Sequence, residues 1–593
     1  MILQALYEYY QRKAEDPDSQ IAPQGLEWKE IPYLIVIDKE GRFQGLEDTS
    51  EGTGKERRAK RFLVTKGKGR PGSASWKTAN VLWDHFGYVA AQPKIKDIDS
   101  KKGKEDAEKQ NKTFVDQCKD IYNRFPTNDQ IGAVCRFYIN PDNMVALKND
   151  PLWEECIKKD GTNLSFRLLG ESGIVAAQSD LYALAQKSNV EDINTPSQQG
   201  ICLITGERSD LAVLTTATNI PGGKSGAKLV GFQRNSGYDS YYKEQGLNAP
   251  ISKIAEDAYT TALNELLGKD SLNKYRLNDT SVVFWAQKST SFENDFSFFF
   301  SSPPKDNPDK NIEVIRSLMK GVYSGILQEE DETPFYILGL APNAARISVR
   351  FWKTGTVKVF AENLKQHFSD LTIIRDLHNE REYFSLFNLL TQVAFQYKMD
   401  NLPPNLVADM TQSILDNRPY PATLQIHCIN RIRADRSISY IRAAILKSYL
   451  NRKYRNNQFF NHKEITMALD LENKNQAYLS GRLFAVLEKT QESALPGINA
   501  TIKDRYYGAA STTPVTVFSR LISLSNNHLS KIGGGKAVYF EKLIQEIMQG
   551  IDSNGFSKHL SLDDQSRFAI GYYHQRQDLF TKKNNDTDSN EIK

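Results

Sequence analysis

The N-terminal half of the chain takes its fold class from one segment, PYLIVIDKEGRFQGLE, at residues 32–47. Its first part, Tyr33 to Ile37, is apolar and rich in β-branched residues, which predicts a strand. Glu40-Gly41 then predicts a turn, and the residues after it predict a returning strand. Upstream, apolar residues recur at helical spacing between Ile2 and Tyr10. A helix followed by a hairpin predicts a mixed α/β beginning.

Strand patterns continue as far as residue 356, and helical patterns replace them beyond it. The further predicted strands are 200–205, 228–232, 281–287, 334–340 and 346–352. The predicted helices are 251–267 and 311–327 in the first part, then 383–395, 438–450, 477–488, 515–529 and 538–548. We therefore predict an α+β fold with a mixed α/β region at 1–356, a helical middle region with a basic patch at 357–466, and an all-helical C-terminal bundle at 467–593.

Composition excludes several classes of protein. The five cysteines contain no Cys-x-x-Cys pair and the eight histidines show no His-x-x-x-His spacing, so we expect no metal ion and no cofactor. No apolar run approaches the roughly 18 residues that cross a bilayer. The opening MILQALYEYYQRK lacks a basic leader before an apolar run. These features predict a cytoplasmic protein.

Catalytic motifs are also missing from the sequence. GGKSG at Gly222 resembles a phosphate-binding loop, but Thr218 stands where that motif requires a glycine. No Gly-x-Ser-x-Gly elbow occurs. We expect a protein that is not an enzyme; the alternative left open is a metal-dependent nuclease whose carboxylates converge only in three dimensions.

Positive charge is concentrated in a first basic segment, residues 55–70. It contains eight Lys and Arg residues, opposed by Glu56 alone. Glycine and proline at its end predict an exposed loop over 66–76. Such a loop suits contact with phosphate groups, although a solvated charged loop is the plain alternative.

A second basic segment covers residues 418–455, with nine Lys and Arg residues opposed only by Asp435. Ile438, Ile441 and Ile445 recur at helical spacing, which places Arg442 on another face. We expect this helix to bury its apolar stripe and present its cations outward. The partner would be nucleic acid or, alternatively, an acidic protein surface, which would make the chain a basic protein-binding scaffold.

Six motifs carry a resemblance to a known family. They are CLITGE at Cys202, GAKLVGF at Gly226, ILGLAPNAARISVRFW at Ile337, YLSGRLFAVLEKTQ at Tyr478, DRYYGAASTTP at Asp504 and GYYHQRQ at Gly571. In order and spacing they resemble the large subunit of the subtype I-C CRISPR interference complex, Cascade, over nearly the whole chain. The resemblance implies a subunit that recognises the protospacer-adjacent motif in duplex DNA, stabilises the R-loop and helps recruit a separate helicase-nuclease.

The resemblance also assigns roles to residues of this sequence. At the flanking motif we expect Lys66, Lys68 and Arg70 on phosphates and Ser73, Ser75 or Asn80 on base edges. These small polar residues could instead cap the turn and the next helix. The predicted contacts with nucleic-acid backbone are Arg57, Arg58, Arg61, Lys224, Lys228, Arg234, Arg433, Arg436, Arg442, Arg452, Arg455, Arg482, Lys489, Lys503 and Arg505. For Lys224, Lys228 and Arg234 a strand edge is an equal alternative.

The partners implied by the resemblance are the guide CRISPR RNA, target double-stranded DNA with its displaced single strand, other Cascade backbone subunits and the helicase-nuclease. A small subunit, often made in this family by internal initiation, would be a further partner. Met467 is a suitable start because Lys463-Glu464 can be encoded as a purine run a short distance upstream. We predict a separate polypeptide from Met467 to Lys593.

Overall fold

The computed structural model describes residues 1–54, 57–67, 70, 72–188, 198–224, 226–233, 237, 243–277, 279–305, 307–324, 332–344, 346–377, 379–457 and 463–588. The chain forms two compact units. Unit 1 consists of Met1–Ser271 and Leu340–Arg350, and unit 2 consists of Leu272–Gly339 and Phe351–Lys593.

Unit 1 combines helices with three small sheets. Its helices are α1 (Ile2–Glu15), α2 (Phe86–Ala90), α3 (Lys101–Arg124), α4 (Asp129–Ile139), α5 (Pro141–Lys148), α6 (Trp153–Ile157), α7 (Ser179–Ser188) and α8 (Lys253–Leu266). Its strands are β1 (Leu26–Glu30), β2 (Tyr33–Ile37), β3 (Phe43–Asp48), β4 (Arg61–Thr65), β5 (Trp83–His85), β6 (Asn163–Leu168), β7 (Gln199–Ile201) and β8 (Arg208–Asp210).

The main sheet of unit 1 has the strand order β3-β2-β6-β5. The predicted hairpin is confirmed, because β2 pairs with β3 in antiparallel register and is buried along its whole length. On its other side β2 pairs in parallel with β6. Gly41 takes φ +80° in the hairpin turn, and a Cβ there would lie 2.6 Å from the backbone nitrogen of Phe137, so the turn requires glycine.

Unit 2 joins a four-stranded sheet to a helical assembly. The sheet has the order β12-β11-β10-β9, with β9 (Lys274–Leu277), β10 (Thr280–Ala286), β11 (Pro334–Asn343) and β12 (Arg346–Thr356). The end of β11 from Leu340 and the start of β12 as far as Arg350 are counted with unit 1. The helices are α9 (Ser291–Asp295), α10 (Lys310–Ser324), α11 (Val357–Leu371), α12 (Leu386–Val393), α13 (Leu406–Leu415), α14 (Ala422–Asp435), α15 (Tyr440–Arg455), α16 (Gln476–Ala494), α17 (Ile502–Ala510), α18 (Phe518–Ile532), α19 (Gly534–Gln549) and α20 (Leu562–Asp588).

Helices α16 and α20 approach each other through two glycines. A Cβ at Gly481 would lie 2.0 Å from the carbonyl oxygen of Phe568, and one at Gly571 would lie 2.2 Å from that of Tyr478. Each glycine therefore lets the backbone of one helix rest on the other. The glycines of the motifs YLSGRLF and GYYHQRQ serve helix packing.

The predicted α+β class is confirmed, and beyond Thr356 the described residues contain helices and no strand. The predicted strand at 228–232 is wrong, because Lys228 forms only an isolated bridge with Arg346. The division into regions 1–356, 357–466 and 467–593 stays a prediction. Among the described residues, no helix combines the length and apolar character needed to span a membrane.

Candidate nucleic-acid interface

Lys66, the first residue after β4, forms an ion pair with a carboxylate of α8. Its Nζ lies 2.5 Å from Oδ1 of Asp257 and 3.1 Å from Oγ1 of Thr260. Oδ2 of Asp257 accepts a hydrogen bond of 2.8 Å from the backbone N–H of Gly25. Since the side chains are only 16% and 6% exposed, water screens this pair weakly. Lys66 thus holds the start of the loop against α8, and its contact with phosphate stays a prediction.

Arg70 holds the next part of the same loop. Its guanidinium pairs with Oδ2 of Asp84, and its Nε donates a hydrogen bond of 2.9 Å to the carbonyl of Thr78. The cation also lies 4.0 Å from the centre of the Tyr88 ring. Because the Asp84 side chain is 1% exposed, removal of Arg70 would leave a buried carboxylate without its cation.

Arg57 and Arg58 form ion pairs at the surface of unit 1. Arg57 pairs with Asp48 and, at 3.1 Å, with Glu155, while Arg58 lies 2.6 Å from Asp270. Glu155 and Asp270 are distant in sequence from the first basic segment, whereas Asp48 lies nine residues before Arg57. Much of the local excess of positive charge is therefore compensated within the folded chain.

Besides the paired Arg57 and Arg58, the exposed cations of this region are Lys60, Arg61 and Lys77. Lys60 lies 5.7 Å from the ring centre of Phe62, and Lys77 lies 5.5 Å from that of Trp76. Neither lysine forms an ion pair with a described residue. These ammonium groups are free to meet phosphate without losing an internal partner, and Lys60 and Lys77 were not among the predicted site residues.

The candidate base-reading residues lie around a short 3-10 helix, Gly72–Lys77. Lys68 lies outside the described residues, and Ser73 belongs to the helix although its side chain is not described. Ser75 is half-buried, and its carbonyl accepts a hydrogen bond of 2.6 Å from the hydroxyl of Tyr88. Asn80 is 8% exposed. Base reading by these residues stays a prediction, and for Asn80 it requires the loop to open.

The second basic segment differs from the expectation at its most basic helix. Arg442 and Arg452 of α15 are 1% and 0% exposed, so the prediction that this helix presents its cations outward is wrong for both. Helical spacing identified one apolar stripe, but α11, α12, α14 and α20 pack around α15 from several sides. Both guanidinium groups are therefore part of the core.

Each of these buried guanidinium groups is saturated with hydrogen bonds. Arg442 donates to Oδ2 of Asp435 at 2.5 Å and to the carbonyls of Gln392 and Ser437 at 3.1 and 3.0 Å. Arg452 pairs with Asp370 at 3.3 Å and lies 4.5 Å from the ring centre of Tyr420. Such contacts offset the cost of burying charge. Neither guanidinium group is accessible to nucleic acid in the folded chain.

The other candidates of this segment differ in exposure. Arg433 donates a hydrogen bond of 2.5 Å to Oε1 of Gln565, and Arg455 pairs with Asp370 at 2.8 Å. Arg436 is exposed, and its guanidinium forms no hydrogen bond or ion pair with a described residue. Arg436 is thus the candidate of this segment most available to an external anion.

In the C-terminal bundle, the predicted contact Lys503 belongs to a network around the buried Glu488, which is 1% exposed. Its carboxylate accepts a hydrogen bond of 2.5 Å from the Tyr572 hydroxyl and pairs with Arg576 at 3.0 Å. Lys503 lies 3.9 Å from the same carboxylate. These side chains connect α16, α17 and α20, so their charges are largely satisfied inside the bundle.

Arg482 and Lys489 also have partners in the bundle. Arg482 is 2% exposed and donates hydrogen bonds to Gln575 at 2.9 Å and to Glu546 at 3.2 Å. Lys489 pairs with Glu492 at 3.1 Å. The guanidinium of Arg482 is enclosed by the bundle, so it is not accessible to a nucleic-acid backbone.

Exposed cations that the sequence reading missed lie on α18, α19 and the following loop. They are Arg520, Lys531, Lys536, Lys542 and Lys558. None forms an ion pair with a described residue, and Arg520 lies 5.9 Å from the ring centre of Tyr506. With the exposed Arg505 of α17 they make up the outer basic face of the bundle. The positions of Arg520, Lys531 and Lys542 opposite the apolar residues of α18 and α19 were a usable signal.

The remaining candidates lie in the glycine-rich part of unit 1. Lys224 is exposed, whereas burial lowers the pKa of the half-buried Lys228. Arg234 lies outside the described residues. Among the residues that the structure does describe, no group of three or more His, Cys, Asp or Glu side chains is arranged to hold a metal ion.

A family model described as CRISPR-associated protein (Cas_Csd1) matches residues 6–580. No curated protein sequence matches the chain.

Proposed function

Since the chain belongs to the Cas_Csd1 family of CRISPR-associated proteins, we propose that it is the non-catalytic large subunit of a Cascade-type, RNA-guided DNA surveillance complex. In this role it recognises a protospacer-adjacent motif in duplex DNA, stabilises the R-loop and helps recruit a helicase-nuclease. Guide RNA, target DNA and the other Cascade subunits are its partners. The family match over residues 6–580 is the observation that carries the proposal.

The distribution of free cations in unit 1 supports contact with duplex DNA. Lys60, Arg61 and Lys77 are exposed near the loop of residues 66–80. Lys66 and Arg70 act as positioning residues of this loop, because each binds a buried carboxylate. A loop held at both ends can present backbone and small side chains to a groove while exposed lysines bind phosphates. Ser73, Ser75 or Asn80 remain the proposed readers of base edges in the flanking motif, and Lys68 remains a proposed phosphate contact.

The outer basic face of the C-terminal bundle supports a second contact, with a displaced single strand. Arg505, Arg520, Lys531, Lys536 and Lys542 lie on three helices and are exposed. Cations that line one face track a phosphate backbone independently of base sequence. The contact with the displaced strand is therefore assigned to this face and not to Arg482, whose guanidinium is buried.

The proposal is tested by target capture in the assembled complex with guide RNA. Lys60→Ala, Arg61→Ala and Lys77→Ala, combined in one chain, should weaken duplex capture and lessen its dependence on salt, because fewer counterions are released. Lys101→Ala with Lys102→Ala and Lys104→Ala is the matched control, since α3 carries these exposed lysines outside the proposed site. Unchanged capture by the first triple variant would contradict the assigned DNA surface.

The non-catalytic role requires its own test. The purified chain, incubated with DNA and Mg²⁺, should leave the DNA intact until the helicase-nuclease is added. Cleavage by the chain alone that disappears on changing one carboxylate would favour the nuclease alternative. Binding to an acidic protein, without binding to DNA, would favour the scaffold alternative.

A further inference from the structure

Two aromatic side chains stand exposed directly after α12. Phe395 is 56% exposed and Tyr397 is 54% exposed, and the residues from 395 to 398 are all at the surface. Their neighbours Val393 and Ala394 are buried. Adjacent large rings left in water are uncommon on a stable surface and indicate a binding site.

The backbone holds these rings in an unusual conformation. Gln396 and Tyr397 both take left-handed values, with φ +55° and +56°. Residues with bulky side chains adopt this region only where the surroundings enforce it. The Tyr397 N–H donates a hydrogen bond of 3.2 Å to the carbonyl of Ala394, and Nδ2 of Asn401 donates one of 2.9 Å to that of Phe395. These hydrogen bonds fix the backbone of the segment that carries the two rings.

Cations flank the rings. The guanidinium carbon of Arg431 lies 5.5 Å from the Phe395 ring centre, and Asp435 pairs with this arginine. Lys398 is exposed and forms no ion pair with a described residue, and the same holds for Arg436 just beyond Asp435. Asp400 is the exposed carboxylate of the segment.

Exposed rings with neighbouring cations match the chemistry of an unpaired polynucleotide. Bases stack on aromatic side chains while Lys and Arg bind the phosphates between them. An apolar protein partner would match the rings but would leave the flanking cations without counterparts. Duplex DNA would not match, since its bases are already stacked.

We propose that Phe395 and Tyr397, with Arg431 beside Phe395 and Lys398 next to Tyr397 in the chain, form a stacking platform for single-stranded nucleic acid. This deepens the proposed function and rests on it for the source of the strand, but binding itself is a property of the isolated chain. The platform lies on the segment after α12 and on α14, whereas the outer basic face lies on α17, α18, α19 and the following loop.

The test measures binding of the purified full chain to a short mixed-sequence DNA strand by fluorescence anisotropy. Phe395→Ala with Tyr397→Ala should weaken binding about tenfold or more, because two stacking contacts are lost. Phe395→Tyr with Tyr397→Phe keeps both rings and should bind as the original chain does. Leu377→Ala removes another exposed apolar side chain, 76% exposed, and should also bind normally.

Unchanged strand affinity in the double alanine variant, with an unaltered unfolding temperature, would overturn the platform. So would an unchanged strand affinity accompanied by loss of another Cascade subunit from the complex, since the rings would then be a protein-docking site. Failure of the proposed function looks different: neutralising Lys60, Arg61 and Lys77 would leave duplex capture unchanged while the isolated chain still binds single strands through its rings.

Discussion

The ammonium group of Lys66 lies 2.5 Å from Oδ1 of Asp257, a residue 191 positions further along the chain. This ion pair connects the loop after β4 to helix α8 within unit 1. The Asp257 carboxylate is 6% exposed and also receives the backbone N–H of Gly25. The pair thus determines where the proposed DNA-reading loop begins.

Lys66→Met should destabilise unit 1 by about 3 kcal/mol, because it leaves a nearly buried carboxylate without its cation. Chemical denaturation measures this change. Adding Asp257→Asn should recover much of the loss, since the amide oxygen can still accept from Gly25. If Lys66→Met kept full stability yet abolished DNA capture, Lys66 would instead be a direct phosphate contact.

Arg452→Met should be among the most destabilising single changes in unit 2, by about 3–5 kcal/mol, because the guanidinium is fully buried beside Asp370. Arg436→Met is the matched control, and a change within about 0.5 kcal/mol is expected there because the side chain is exposed. The measurement compares the unfolding midpoints of the two variants. Equal midpoints would refute the core role of Arg452.

Acid should weaken the protein through His574. Burial lowers the pKa of this imidazole from 6.5 to about 3, so the folded chain resists a proton that the unfolded chain binds. The stabilisation is complete above pH 6.5 and is lost as the pH falls towards 3. One such group contributes a slope of about 1.4 kcal/mol per pH unit.

His574→Asn should therefore flatten the decline of the unfolding free energy over this acidic range. A residual slope remains, because burial also lowers the pKa of His367. His559→Asn removes an exposed histidine and should keep the original slope. Parallel profiles for the His574 variant and the original chain would contradict the prediction.

Gly571→Ala should loosen the contact between α16 and α20, because its Cβ would lie 2.2 Å from the Tyr478 carbonyl oxygen. We expect a loss of about 1–3 kcal/mol from this overpacking. Gly508→Ala in α17 meets no atom within 4 Å and should be neutral or stabilise by about 0.5–1 kcal/mol, since alanine is the better helix former. The unfolding temperatures of the two variants and of the original chain test this prediction.

Translation from Met467 is tested by Met467→Leu in the full gene. The Met467 side chain is 53% exposed, so the full-length chain should fold normally. A C-terminal tag should reveal a short product in the original gene and its loss in the variant. Met399→Leu should leave that product in place, and a short band that persists without Met467 would refute the assigned start.

The spacing of apolar residues determined the α+β class, the hairpin of β2 and β3, and the change to helices after Thr356. Burial of an apolar face leaves a period that can be read along the chain, and most predicted helices and strands were found. The segments at 200–205 and 228–232 were exceptions. The first is a strand only as far as Ile201 and then turns. In the second, only Lys228 has a partner, and a strand needs partners along its length.

Charge was predicted less well, because an ion pair leaves no mark in local sequence. The first basic segment looked free until the fold placed Asp48, Asp84, Asp257 and Asp270 beside its cations. The buried Arg452 likewise looked like a surface residue, since helical spacing reports one packed face and α15 is enclosed on several. The sequence by itself determined where positive charge is abundant; only the tertiary structure decided which cations remain free for a partner, because that depends on carboxylates brought together from distant parts of the chain.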